Sequence, residues 1–144
     1  MSTGNYNLFV YGSLRSGFQY EAYQYMARYF DLIGHATVKG KLYDMGEYPV
    51  AMPTTEEKFI QGELYTISEP AEFSYIIGQL DDYEGLYVEE GETALYKRET
   101  ATVYCDGKEY TAWIYWYNGA INGQPEITSG DALQYLKEKE KNKS

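Results

Sequence analysis

Asp106-Gly107 constrains this chain more than any other dipeptide, because two runs rich in Val, Thr, Tyr, Trp and Ile flank it. An Asp-Gly pair accepts the two positive φ angles of the tight turn whose twist matches that of the strands it joins. The pair therefore predicts a hairpin of Tyr96–Cys105 and Glu109–Tyr117. Other periodicities supply partners for it. Leu8–Tyr11 reads as a buried strand, Thr37–Tyr43 alternates enough for another, and Phe59–Ile67 alternates throughout. In that last strand Phe59, Gln61, Glu63, Tyr65 and Ile67 share one face, and Ile60, Gly62, Leu64 and Thr66 the other. Asp44–Pro49 and Asn118–Glu126 read as turn and loop.

Three helices are expected. The first runs over about Gln19–Leu32, with Tyr23, Met26, Ala27 and Phe30 as its apolar stripe and Gly34 as its stop. A second opens at Ser68-Glu69-Pro70, with proline in its first turn, and reaches about Tyr83. The third starts from Ser129-Gly130-Asp131. No internal repeat or linker divides the 144 residues, so one domain spanning 1–144 is expected, within the usual ~100–150 residues. The fold class is α+β: a mixed, strongly curved sheet closing toward a small barrel, with flanking helices.

Charge narrows the partners. Acidic residues outnumber basic ones 22 to 12, a formal charge of −10, which argues against nucleic acid because that binding rests on Lys and Arg neutralising phosphates. A negative field favours cationic or amine-bearing small molecules instead. The chain has 18 tyrosines, most of them expected as amphipathic packing at the rims of a core, with hydroxyls reaching water or an acceptor. Cys105 stands alone, so neither an internal disulfide nor a cysteine zinc site is expected. No N-terminal apolar segment is long enough for a signal peptide or a membrane span. The expected compartment is the cytoplasm, with no membrane partner.

The loop after the first strand, Gly12-Ser13-Leu14-Arg15-Ser16-Gly17, admits three chemistries. A phosphate cradle needs GxxxxGK[ST]; Gly12 and Gly17 have the glycine spacing, but Phe18-Gln19 stands where Lys-Ser/Thr is required. A serine hydrolase needs Ser13 or Ser16 beside an oriented base, and His35 is the sole histidine. His35 itself reads more simply as a partly exposed side chain. The third chemistry is a backbone nest, in which glycine lets N–H groups converge on an oxyanion or carboxylate. A tight strand-to-helix turn without a ligand fits the loop equally well.

A second feature lies at the end of the second helix. Phe73, Ile76, Ile77 and Leu80 form an inward stripe, and the next residue on it, four beyond Leu80, is Glu84. Asp81 and Asp82 turn away from Leu80 by ~100° and ~200° and are expected in solvent. Glu84 also falls at the helix C-terminus, where the dipole disfavours an anion, and Gly85 is placed to end the helix. Both effects raise a carboxyl's pKa and suit acid/base work. If the helix ends one residue earlier, Glu84 swings into solvent.

These stretches together resemble the γ-glutamylcyclotransferase-like family. Its hallmarks are a strand running into Tyr-Gly-Ser-Leu, here Tyr11–Leu14, and Leu-Asp-x-Tyr/Phe-Glu-Gly, here Leu80–Gly85. Tyr96-Lys97-Arg98 matches its Tyr-x-Arg strand start. Gly40–Asp44 with Tyr48-Pro49, and Gly62–Tyr65, are similar to family segments. Ile127–Asp131 is similar to its C-terminal Ile-x-x-Gly-Asp, with Ala132 where tryptophan is common. The resemblance implies a small barrel-like fold that releases 5-oxoproline from a γ-glutamyl amide without metal or cofactor. It implies Glu84 as acid/base, with Tyr11, Gly12, Ser13 and Leu14 cradling the γ-glutamyl group and Tyr115 as a further pocket residue. Arg98 would either hold the fold together or touch substrate. The alternative is a module on the same fold that binds γ-glutamyl or amino-acid ligands, or another protein, without turnover.

Overall fold

The computed structural model describes residues 6–11, 24, 27–45, 49–83, 96–121 and 123–141. Along them run strands β1 (Asn7–Val10), β2 (Phe30–Lys39), β3 (Lys41–Asp44), β4 (Pro49–Met52), β5 (Phe59–Ile67), β6 (Tyr96–Cys105), β7 (Lys108–Tyr117) and β8 (Glu126–Ile127). The helices are α1 (Phe73–Tyr83), entered through a 3₁₀ turn at Pro70–Glu72, and α2 (Ala132–Lys141). Asp106 and Gly107 take φ of 55° and 78°, and β6 and β7 pair from Cys105–Lys108 to Tyr96–Tyr117. The hairpin forms as expected, with β7 one residue longer at its start.

The sheet closes into a barrel in the order β1-β5-β2-β6-β7. Closure comes from β1, which pairs antiparallel with β5 and parallel with β7 at Leu8–Trp113. Gly62 makes the β1–β5 approach possible: a Cβ there would lie 2.3 Å from the Val10 carbonyl oxygen and 2.5 Å from the Phe9 ring. Phe9, Val38, Ile60, Leu64, Val103 and Ile114 are buried in the interior cluster. A second cluster forms on the outer surface, where Phe73, Ile76, Ile77 and Leu80 of α1 cover Leu8, Val10, Tyr65 and Tyr115. Each fully buried aliphatic chain there contributes roughly 1.5–3 kcal/mol. Strand β1 is buried on both faces because the barrel core takes one and α1 the other. A small sheet, β4-β3-β8, completes the fold. Helix α2 starts where Asp131 Oδ1 accepts the Gln134 N–H at 3.1 Å, an N-cap that supports the helix start expected there.

Four expectations need correction. The first helix does not reach Leu32: Gln24 and Ala27 are helical, but Arg28 and Tyr29 turn, and Phe30 opens β2. Phe30 pairs with Ile67 and Leu32 with Tyr65, so cross-strand partners outweigh the helical stripe. Gly34 is no helix stop; it sits at a register shift inside β2. The strand expected over Thr37–Tyr43 divides at Gly40 into β2 and β3, which belong to different sheets. Pro49, read as the end of a turn, begins β4. The rest of the first helix, the loop Gly12–Gly17, and Gly46–Tyr48 lie outside the described residues. Among the described residues no helix is long and apolar enough to cross a membrane.

Candidate active site

Tyr11 directly follows β1 and is buried, and its hydroxyl donates to the Tyr115 carbonyl oxygen at 2.8 Å. Two residues 104 positions apart, both expected in the pocket, are thereby brought together. Alternation along β7 explains the arrangement. Ala112, Ile114 and Trp116 enter the barrel, whereas Tyr115 joins the outer cluster under α1. Its hydroxyl donates to Asp81 Oδ1 at 2.7 Å.

Asp81 is where the structure overturns the helix reading. It is 4% exposed rather than solvated. Arg98 Nε donates to Oδ1 at 2.7 Å and Nη2 to Oδ2 at 2.9 Å, a two-pronged ion pair. The stripe is wider than the run from Phe73 to Leu80 suggests, since Asp81 stands only about 40° from Ile77 at ~100° per residue. Arg98 lies directly across the hairpin from Tyr115, and its guanidinium stacks 4.5 Å from the centre of the Trp113 ring. Of the two roles open to Arg98, the structure shows the first: it ties β6 to α1. A cation on a strand face beside an aromatic was the available signal, but its anion lies 17 residues upstream.

Gly12, Ser13, Leu14 and Glu84 lie outside the described residues. In sequence, Tyr11 is the neighbour of Gly12 and Asp81 stands three residues before Glu84. Beside β1, Glu63 pairs in register with Val10 and accepts the Tyr65 hydroxyl at 2.9 Å. His35 is exposed on β2, with Nε2 2.7 Å from Gln61 Oε1. Among the described residues no three His, Cys, Asp or Glu side chains converge as a metal site.

The model of the family described as gamma-glutamyl cyclotransferase, AIG2-like, matches residues 8–134. The chain belongs to this family. A curated relative, the gamma-L-glutamyl-butirosin B gamma-glutamyl cyclotransferase of Niallia circulans, is 35% identical over 114 residues, 78% of this chain and 67% of the relative. Among solved structures, YkqA from Bacillus subtilis superposes with a TM-score of 0.70 at 28% identity, covering 96% of this chain. The chain spans only 43% of that protein's length. An AIG2-like protein from Mus musculus superposes with a TM-score of 0.65 over 85% of this chain and 86% of its own. At 18% identity that likeness shows the fold, a small mixed-sheet barrel with a helix packed on it.

Proposed function

We propose that the protein is a γ-glutamyl cyclotransferase that releases 5-oxoproline and a free amine from a small γ-glutamyl amide. Besides the family match, the observation that supports this reading is the Tyr11–Tyr115 bond, which joins two of the implied pocket residues. The substrate brings its own nucleophile. Its α-amine attacks the γ-carbonyl, a C–N bond closes the five-membered ring, and the C–N bond to the leaving amine breaks. No serine, metal or cofactor is required by that step. Holding the γ-glutamyl chain folded is worth ~7–11 kcal/mol if the conformer is well oriented.

In this reading Glu84 takes the proton from the attacking amine and returns it to the leaving one. An ordinary glutamate is about 4 pK units too acidic to accept from an α-ammonium. The sequence pattern expects Glu84 on the apolar stripe and near the negative end of its helix, and both placements would narrow that gap. Backbone N–H groups of Gly12, Ser13 and Leu14 would meet the tetrahedral oxyanion, each important donor being worth ~2.7–4 kcal/mol. The formal charge of −10 suits an amine-bearing leaving group, and the relative named for γ-L-glutamyl-butirosin B supports a small γ-glutamyl conjugate as substrate. The lone Cys105 supports a cytoplasmic setting.

Incubation with a panel of γ-glutamyl amides, followed for 5-oxoproline, tests the proposal. Glu84→Gln is expected to lower turnover by about 10²–10⁴-fold while ligand binding persists. Ser13→Ala should retain activity and Gly12→Val should lose it, because the backbone rather than the hydroxyl carries recognition. Ligand binding without 5-oxoproline from any amide would favour the binding-module alternative.

A further inference from the structure

Nothing in the proposed reaction calls for Asp81 or Arg98, yet the Asp81 carboxylate is buried in the last turn of α1, where it meets Arg98 and Tyr115. Such a burial is a poor way to gain stability, since a well-packed apolar residue serves as well or better. Its placement is more informative. Asp81 holds the hydroxyl of Tyr115, whose carbonyl holds the hydroxyl of Tyr11. One end of this chain leads into Gly12, the other into Glu84.

We propose that Asp81 is a positioning residue for the reaction. Clamped by the Arg98 fork, it fixes the last turn of α1 against β6 and β7, and through Tyr115 to Tyr11, so that the chain enters the Glu84 and Gly12 segments from anchored ends. The inference rests on the cyclotransferase reading above. Its chemistry is geometric: Asp81 exchanges no proton with substrate, and Tyr115 carries its effect. A misplacement of about 1 Å between acid/base and carbonyl costs up to about 10²-fold, so a loosened clamp acts on turnover more than on binding.

The test compares Asp81→Asn, Tyr115→Phe and their combination with Tyr135→Phe, which removes a similar tyrosine–aspartate bond, at Asp44, elsewhere in the fold. Asp81→Asn is expected to lower kcat about 30-fold with KM changed less than about threefold. Tyr115→Phe should lower kcat about tenfold, and the double variant should resemble Asp81→Asn alone, because both act through one chain of bonds. Tyr135→Phe should lose thermal stability with wild-type kcat. Should Asp81→Asn fail to fold, Tyr115→Phe decides, since it removes one hydroxyl and leaves the Arg98 pair in place. A kcat for either variant within threefold of wild type, or effects that multiply in the double, overturns the proposal while leaving the activity reading intact. If the wild type releases no 5-oxoproline, the activity reading fails by itself. Amide exchange at Tyr11 and Tyr83 then still reads the clamp: it should quicken about tenfold in Asp81→Asn and not in Tyr135→Phe, and equal behaviour in the two would refute it.

Discussion

Two aspartates are buried among the described residues, Asp44 and Asp81, and each accepts a tyrosine hydroxyl at 2.7–2.8 Å. Beyond that bond they differ. Asp44 ends β3, where its N–H donates to the Pro125 carbonyl at 2.9 Å and its carboxylate takes the Tyr135 hydroxyl from α2. It fastens the C-terminal helix to the small sheet. Asp81 also carries the two-pronged Arg98 pair, joining a helix to two barrel strands. The same bond therefore serves attachment in one region and registration in the other. A tyrosine–aspartate pair says little about function until its neighbours along the chain are considered.

The largest expected difference comes from removing each carboxylate. Asp81→Ala withdraws the counter-charge from a largely covered guanidinium and should cost about 3–5 kcal/mol, toward the lower end because the Arg98 side chain is 21% exposed. Asp44→Ala deprives a hydroxyl of its acceptor and should cost about 1–3 kcal/mol. Urea denaturation measures both, and a reversed order would break the comparison.

A smaller step sharpens it. Arg98→Lys keeps the charge but replaces a planar fork and ring-stacking surface with a single ammonium. The change should cost about 1–2 kcal/mol, one charge-assisted hydrogen bond and part of the Trp113 contact. Unchanged stability would mean that charge alone, without the two-pronged geometry, holds α1 to the barrel.

What the sequence disclosed follows the range of the interactions. The Asp106-Gly107 hairpin and β5 were readable because turn chemistry and alternation are local, and β5 runs over Phe59–Ile67 as expected. The entry to β2 was misread because Phe30 fits a 3.6-residue stripe as well as a strand, and Ile67, which decides between them, lies 37 positions on. Gly40 shows the same limit. A Cβ there would lie 2.6 Å from Ile60 Cδ1 and 3.1 Å from the Met52 carbonyl oxygen, contacts that exist only once the two sheets are assembled. At the site, Tyr11 and Tyr115 came from family motifs rather than periodicity. Asp81 was sent to solvent because its partners follow it by 17 and 34 residues. A helical wheel registers the cost of burying a carboxylate but not the arginine that offsets it.

The smallest effect concerns Lys41, on the same strand as Asp44 but paired at the surface. Its ammonium contacts Glu56, whose side chain is 54% exposed. Hydrogen bonding to Glu56 lifts Lys41 above its ordinary 10.5, and the same bond holds Glu56 below its ordinary 4.5. The two shifts act at opposite ends of the pH scale. Glu56 contributes stability above its ordinary value and loses it as pH falls through the lowered one. Lys41 contributes fully below its ordinary value and loses it as pH rises through the raised one. Wild type should therefore melt slightly above Glu56→Gln between about pH 5 and pH 10 and converge with it beyond both limits. Salt should shrink the gap throughout, since exposed charges are screened. Thermal melts of the two proteins across that range measure it. A gap that persists undiminished at pH 2 would show that Glu56 acts by packing rather than by charge, and the small sheet would then have no electrostatic counterpart to the Asp81 clamp at its surface.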